Sequence, residues 1–96
     1  MRVEGNVIIF SSTPEYYMKE IDGRKPNTIR LIPSDEWNRF MGWCNALNDA
    51  SVPMKISIEM NTKKRTHYFV RDVKDISFIG ELLGSHLVII SWRHHE

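Results

Sequence analysis

Residues 55–70 constrain this chain more than any other stretch. Ile56, Ile58 and Met60 alternate with Lys55, Ser57 and Glu59; Asn61-Thr62-Lys63-Lys64-Arg65 follows as a polar break, then Thr66-His67-Tyr68-Phe69-Val70. A period of two puts successive side chains on opposite faces of an extended strand, so two such runs about a polar turn form an antiparallel hairpin. A chain of 96 residues has room for one core and little more. The remaining segments must therefore cover the apolar face of this hairpin.

They divide into strands and helices by the same kind of signal. Val7-Ile8-Ile9-Phe10 is a short apolar run suited to a buried strand. Thr13 is placed to cap a following helix, Pro14 fits its first position and Glu15 favours its positive end, while Gly23 ends it. Tyr17 and Ile21 form that helix's buried edge. Thr28 to Ile32 alternates as a strand, and its pattern assigns Ile29 to the core and Thr28 with Arg30 to the other face. Ser34-Asp35-Glu36 after Pro33 starts a second helix, with Trp37, Phe40, Met41, Cys44 and Leu47 recurring at spacings of three and four. Trp43 lies at the edge of that stripe, where it is free to be exposed. Val73, Ile76, Phe78 and Ile79 make a less regular strand or turn, punctuated by Gly80 and Gly84. Leu87-Val88-Ile89-Ile90 with Trp92 is continuous enough to be central in a sheet. The order β-α-β-α-β-β-β-β predicts one α+β domain over residues 1–96, a small curled sheet or partial β-barrel with two flanking helices.

Composition narrows the functional classes. The longest apolar run is far short of the ~20 residues that cross a bilayer, so no membrane span is expected. Met1-Arg2-Val3-Glu4-Gly5-Asn6 lacks a signal-peptide pattern, which makes cytoplasmic residence the expectation. Cys44 is the one cysteine, which excludes an internal disulfide and suits a buried, reduced thiol. His67, His86, His94 and His95 lack metal-ligand spacing, so no metal and no cofactor are expected. A net charge of +1 argues against a strong field over the whole surface. Residues 50–75 are locally basic, with Lys55, Lys63, Lys64, Arg65, Arg71 and Lys74 against Glu59, Asp72 and Asp75.

The chemistry concentrates in Gly23-Arg24-Lys25-Pro26-Asn27-Thr28-Ile29-Arg30, a loop leaving a helix and entering a strand. Crowding of Lys25 by Arg24 and Arg30 favours a neutral amine able to take a proton from the Thr28 hydroxyl. The same cations can instead grip a phosphate, with loop N–H groups completing the cradle. A solvated turn whose charges serve solubility stands beside both readings. Lys63-Lys64-Arg65 at the hairpin tip is either such a turn or an auxiliary phosphate contact, with His67 or Tyr68 as a stacking surface.

Gly-x-Lys-x-x-Thr-x-Arg, here Gly23, Lys25, Thr28 and Arg30, resembles the signature of the ASCH domains, a branch of the PUA-like superfamily. Arg71-Asp72-Val73-x-x-Ile76 and the run from Leu87 to Trp92 look like the last two strands of that family, particularly of its small phage-borne members. The resemblance implies a β-barrel with flanking helices and a cleft at the Gly-Lys motif, where relatives bind RNA, DNA or nucleosides. In one bacterial branch, similar enzymes deacylate N4-acetylcytidine with the motif's lysine and threonine and a later glutamate. That would make Thr28 the nucleophile and Lys25 its activator, with Glu81 the carboxylate by chain order and Asp75 the next candidate. The chain departs from the family in placing the Trp37–Leu47 helix where relatives carry a Gly-Asp turn, and in having a short segment around Glu81.

Three expectations follow. A nucleic-acid or nucleotide-binding module would use Arg24, Lys25 and Arg30 with Lys63, Lys64 and Arg65. A small amidohydrolase would use Lys25, Thr28 and Glu81. A phage-encoded inhibitor would engage a host or defence protein through exposed aromatics such as Trp43.

Overall fold

The computed structural model describes residues 1–93. Strands β1 (Arg2–Glu4) and β2 (Val7–Ser11) are followed by α1 (Pro14–Ile21), β3 (Asn27–Ile32) and α2 (Ser34–Asp49). Strands β4 (Lys55–Asn61), β5 (Thr66–Leu82) and β6 (Ser85–Trp92) complete the chain. All six strands join one sheet in the order β1-β2-β4-β5-β6-β3, antiparallel except where β2 runs parallel to β4. The result is an α+β domain with an open, mixed sheet and two helices.

The curl comes from β5. Residues 66–82, expected as a strand followed by a separate irregular one, form a single 17-residue strand. Its first part pairs with β4 up to Asp72 opposite Lys55, and from Val73 onward it pairs with β6. Register irregularities between Val73 and Asp75 and between Phe78 and Gly80 mark this second part. Such bulges bend and twist a strand, which turns the two halves of the sheet toward one another. Strand β1, which the sequence did not announce, pairs only with residues Val7 to Ile9 and leaves the end of β2 uncovered. Strand β6 lies between β5 and β3, as its continuous apolar run predicts.

One core fills the inner face. Ile8, Phe10, Ile56, Ile58, Phe69, Val88, Ile90 and Trp92 of the sheet meet Tyr17 from α1 and Phe40 from α2. The Tyr17, Phe69 and Trp92 rings follow one another at 5.4 and 6.0 Å between centroids. Trp43 is pinned rather than free: it packs against the core, and its Nε1 donates to the Gly5 carbonyl at 2.8 Å. Cys44 is half-buried, and burial pushes its thiol pKa up, away from the reactive thiolate.

Strand β3 has the alternation expected of it with the faces exchanged. Thr28 and Ile32 are buried, whereas Ile29 is 53% exposed and Leu31 45%. Ile29 therefore does not belong to the core. The polar side chains can turn inward because Thr28 and Arg30 find partners there, and an inward side chain with satisfied hydrogen bonds carries little penalty.

The β5–β6 turn holds one residue in an unsuitable conformation. Leu82 pairs with Ser85, and both intervening residues have positive φ, 52° at Leu83 and 82° at Gly84. This two-residue geometry favours Asn-Gly, and Leu83 is also 99% exposed. Leu83→Asn is expected to stabilise the fold by about 0.5–1 kcal/mol. Thermal unfolding followed by circular dichroism should then show a midpoint higher by roughly 2–8 °C.

Candidate functional site

Two short connections and the β3–β6 register bring the polar residues together. Strand β2 ends at Ser11, and Ser12 and Thr13 lead into α1; Thr13 occupies the capping position but makes no side-chain cap bond. At the other end of α1, Gly23 adopts a φ of 86°, a conformation that reverses the chain at little cost only for glycine. The Lys25 amide then donates to the Lys19 carbonyl at 3.0 Å, which folds the loop back against the last turn of the helix. The Trp92 amide donates to the Pro26 carbonyl at 3.1 Å and fixes the entry into β3. Register with β6 does the rest: Thr28 lies opposite Ile90 and Arg30 opposite Val88, on the inner face.

The side chains form a connected network. The Arg30 guanidinium donates from Nε to Thr28 Oγ1 at 2.8 Å, from Nη2 to Ser12 Oγ at 2.7 Å and from Nη1 to the Ser11 carbonyl at 2.7 Å. It also lies 5.0 Å from the Phe10 ring centroid. Arg30 thus bridges the open interval between the ends of β2 and β3, where the sheet lacks strand pairing. The Ser12 hydroxyl in turn donates to Glu20 Oε1 at 2.8 Å. Glu20 is fully buried, and its second oxygen, Oε2, has no hydrogen-bond partner among the described residues. Lys25 Nζ lies 3.8 Å from that oxygen, an ion pair but not a hydrogen bond, and 5.1 Å from the centre of the Tyr16 ring. Burial pulls the Arg30 guanidinium below its ordinary pKa, and the negative charge of Glu20 works in the opposite direction.

Ser12, Tyr16, Glu20, Lys25, Thr28 and Arg30 line one cleft of about 560 Å³. Arg30 also lines an adjoining depression of about 600 Å³, between the ends of β2 and β3. Tyr16, 51% exposed, offers the cleft an aromatic surface.

The structure thus gathers Lys25, Thr28 and Arg30 and excludes several other candidates from the cleft. Arg24 turns to Asp22, with Nε 2.7 Å from Oδ2, so Lys25 faces a carboxylate rather than sitting between two arginines. Glu81 does not line the cleft. It pairs across the strands with His86, whose Nε2 lies 3.2 Å from Glu81 Oε1, and His86 in turn lies opposite Ile32. That is four residues along β6 from the partner of Thr28, roughly 13 Å at the rise of a strand. Asp75 accepts a hydrogen bond from Ser77 and lines a different depression, against α2. Chain order pointed to β5 for the carboxylate, but the curl carries that part of β5 away from the α1–β3 loop.

The carboxylate inside the cleft is Glu20, which sequence reasoning passed over. A signal was available, because Glu20 follows Tyr17 by three and precedes Ile21 by one, which places it on the buried edge of α1. A charge on the apolar side of a short helix requires a partner or a purpose.

Lys63, Lys64 and Arg65 occupy the exposed β4–β5 turn, which Thr62 shapes by donating to the Arg65 carbonyl at 2.9 Å. Parallel pairing sets Ser11 opposite Glu59, so this turn projects from the same end of the sheet as the Ser12–Thr13 connection. His86 stacks on Trp37 at 3.9 Å and 7°, and His94 and His95 lie outside the described residues. Among the described residues, no three His, Cys, Asp or Glu side chains are grouped to hold a metal ion, and no helix is long and apolar enough to cross a membrane. Compared with protein-family models, with curated proteins and with solved structures, the chain matches none.

Proposed function

We propose that this domain is a nucleotide-binding module of PUA-like type, engaging a nucleotide free or within a single strand through the Lys25–Thr28–Arg30 cleft. The observation that carries the reading is the convergence of two cations, the Ser12 and Thr28 hydroxyls and a buried carboxylate beside an exposed tyrosine ring. These are the group types a nucleotide needs: a ring face for the base, a cation for the phosphate and directed polar groups for an edge. Arg30 is held by three hydrogen bonds and gives the cleft its shape. Lys25 Nζ, ion-paired with Glu20 at 3.8 Å but held by no hydrogen bond among the described residues, is the cation available to a phosphate. The resemblance to the ASCH signature at Gly23, Lys25, Thr28 and Arg30 supports the same reading, and Lys63, Lys64 and Arg65 extend it along a strand.

Salt dependence and substitution test it together. Single-strand binding that uses Lys25 and the three turn cations should fall with a log–log salt slope of about −2.8. Replacing Lys63, Lys64 and Arg65 by alanine should flatten the slope to about −0.7, leaving the Lys25 contact. Lys25→Ala should weaken binding of a single nucleotide about tenfold. Fluorescence anisotropy with short labelled RNA and DNA strands measures the slopes, and calorimetry measures the mononucleotide. Unchanged affinity in Lys25→Ala would reject this cleft as the site.

One observation favours a second reading: the cleft holds a lysine, a threonine and a carboxylate, the residue types of an amidohydrolase acting on N4-acetylcytidine. Glu20 would take the part first assigned to Glu81. Against it, the Thr28 hydroxyl oxygen already accepts a hydrogen bond from Arg30 Nε at 2.8 Å. Incubation with N4-acetylcytidine separates the two readings. Product that disappears in Thr28→Ala would replace binding with hydrolysis.

A further inference from the structure

Resting on the nucleotide-binding reading, we infer that Glu20 reads the base, selecting the exocyclic amino group of adenine or cytosine over the carbonyl that guanine, uracil and thymine carry in its place. The carboxylate is fully buried, and its two oxygens differ in what they meet. Oε1 accepts a hydrogen bond from Ser12 at 2.8 Å, whereas Oε2 has no hydrogen-bond partner among the described residues. The nearest cation, Lys25 Nζ, stops at 3.8 Å. A buried carboxylate oxygen left in this state is destabilising, and an incoming N–H relieves it.

The chemistry of the ligand follows from that requirement. An ionised carboxylate only accepts hydrogen bonds, so the group facing Oε2 must donate. A phosphate oxygen there would meet like charge, which sends the phosphate toward Lys25 and the cleft mouth and turns the base toward Glu20. Adenine and cytosine carry an amino group at the 6 or 4 position, where guanine, uracil and thymine carry a carbonyl. A carbonyl facing Oε2 would oppose acceptor to acceptor. Tyr16 stacking is indifferent to the base, since every base has a ring face, so discrimination falls to Glu20.

The decisive comparison changes the ligand and leaves the protein intact. Purine riboside 5′-monophosphate is AMP with the amino group replaced by hydrogen, and it adds no bulk. Calorimetric titration of the full chain should show it binding about tenfold more weakly than AMP, and UMP binding about tenfold more weakly than CMP. Glu20→Gln, whose amide both donates and accepts, should bring CMP and UMP to within about twofold of each other, provided it folds. Equal affinity within each ligand pair overturns the assignment to Glu20 while leaving nucleotide binding in place. Absence of binding by all four nucleotides overturns the functional reading itself, and the inference with it.

Discussion

Glu20→Ala is expected to lower the stability of this domain by about 3–5 kcal/mol, because it removes the buried carboxylate that faces Lys25 Nζ at 3.8 Å and offsets the charge of Arg30. Glu20 is fully buried, accepts a hydrogen bond from Ser12 and is the charge that favours the ionised form of Arg30. The pairing itself need contribute little, because bringing charges out of water offsets much of their attraction. Breaking it is another matter. Alanine would leave the Arg30 guanidinium, already disfavoured by burial, without the carboxylate that compensates it, and the Ser12 hydroxyl without its acceptor. A chain of 96 residues has a total stability of about 5–14 kcal/mol, so this one change removes a large part of it. Urea unfolding monitored by tryptophan fluorescence provides the measurement. A loss below about 1 kcal/mol would mean that Arg30 is balanced by water rather than by Glu20.

The same network marks the boundary of what the sequence discloses. Local signals located α1, α2, the β4–β5 hairpin and β6, because capping residues, helical spacing and strand alternation each act within a few positions. They also singled out Lys25, Thr28 and Arg30, which a single loop and strand bring together. Alternation alone could not say which face of β3 is inward. That depends on whether Arg30 finds Ser12 and the Ser11 carbonyl, residues 18 and 19 positions away. With those partners present the polar face turns in, and Ile29 and Leu31 are left on the outer surface of an edge strand. Glu81 illustrates the same limitation in reverse. Its chain position recommended it, but a strand that crosses from β4 to β6 carries it out of reach of the cleft. The parallel placement of β2 beside β4 is likewise a long-range fact, and it is what brings the Lys63–Arg65 turn to the cleft's end of the sheet.

Phe40→Ala should be about as damaging to the fold as Glu20→Ala, yet leave the cleft intact. Phe40 is 1% exposed and is the buried residue of α2, whose remaining apolar side chains pack only in part against the core. Its ring lies 5.6 Å from that of Trp37, which in turn stacks on His86 at 3.9 Å and leans on Phe78 at 5.9 Å. Removing the Phe40 ring opens a cavity beneath this stack, and large-to-small changes of this kind cost about 3–5 kcal/mol. For a domain of this size the melting midpoint should fall by roughly 15–30 °C. The cleft, however, is built from the end of β2, α1, the following loop and β3, and no α2 residue lines it. Nucleotide affinity measured well below the lowered midpoint should therefore match that of the unaltered protein, whereas Lys25→Ala should weaken binding without comparable loss of stability. A Phe40→Ala protein that is still folded but binds nucleotide tenfold more weakly would show that α2 packing, through β6 and the register of β3, holds the cleft in shape.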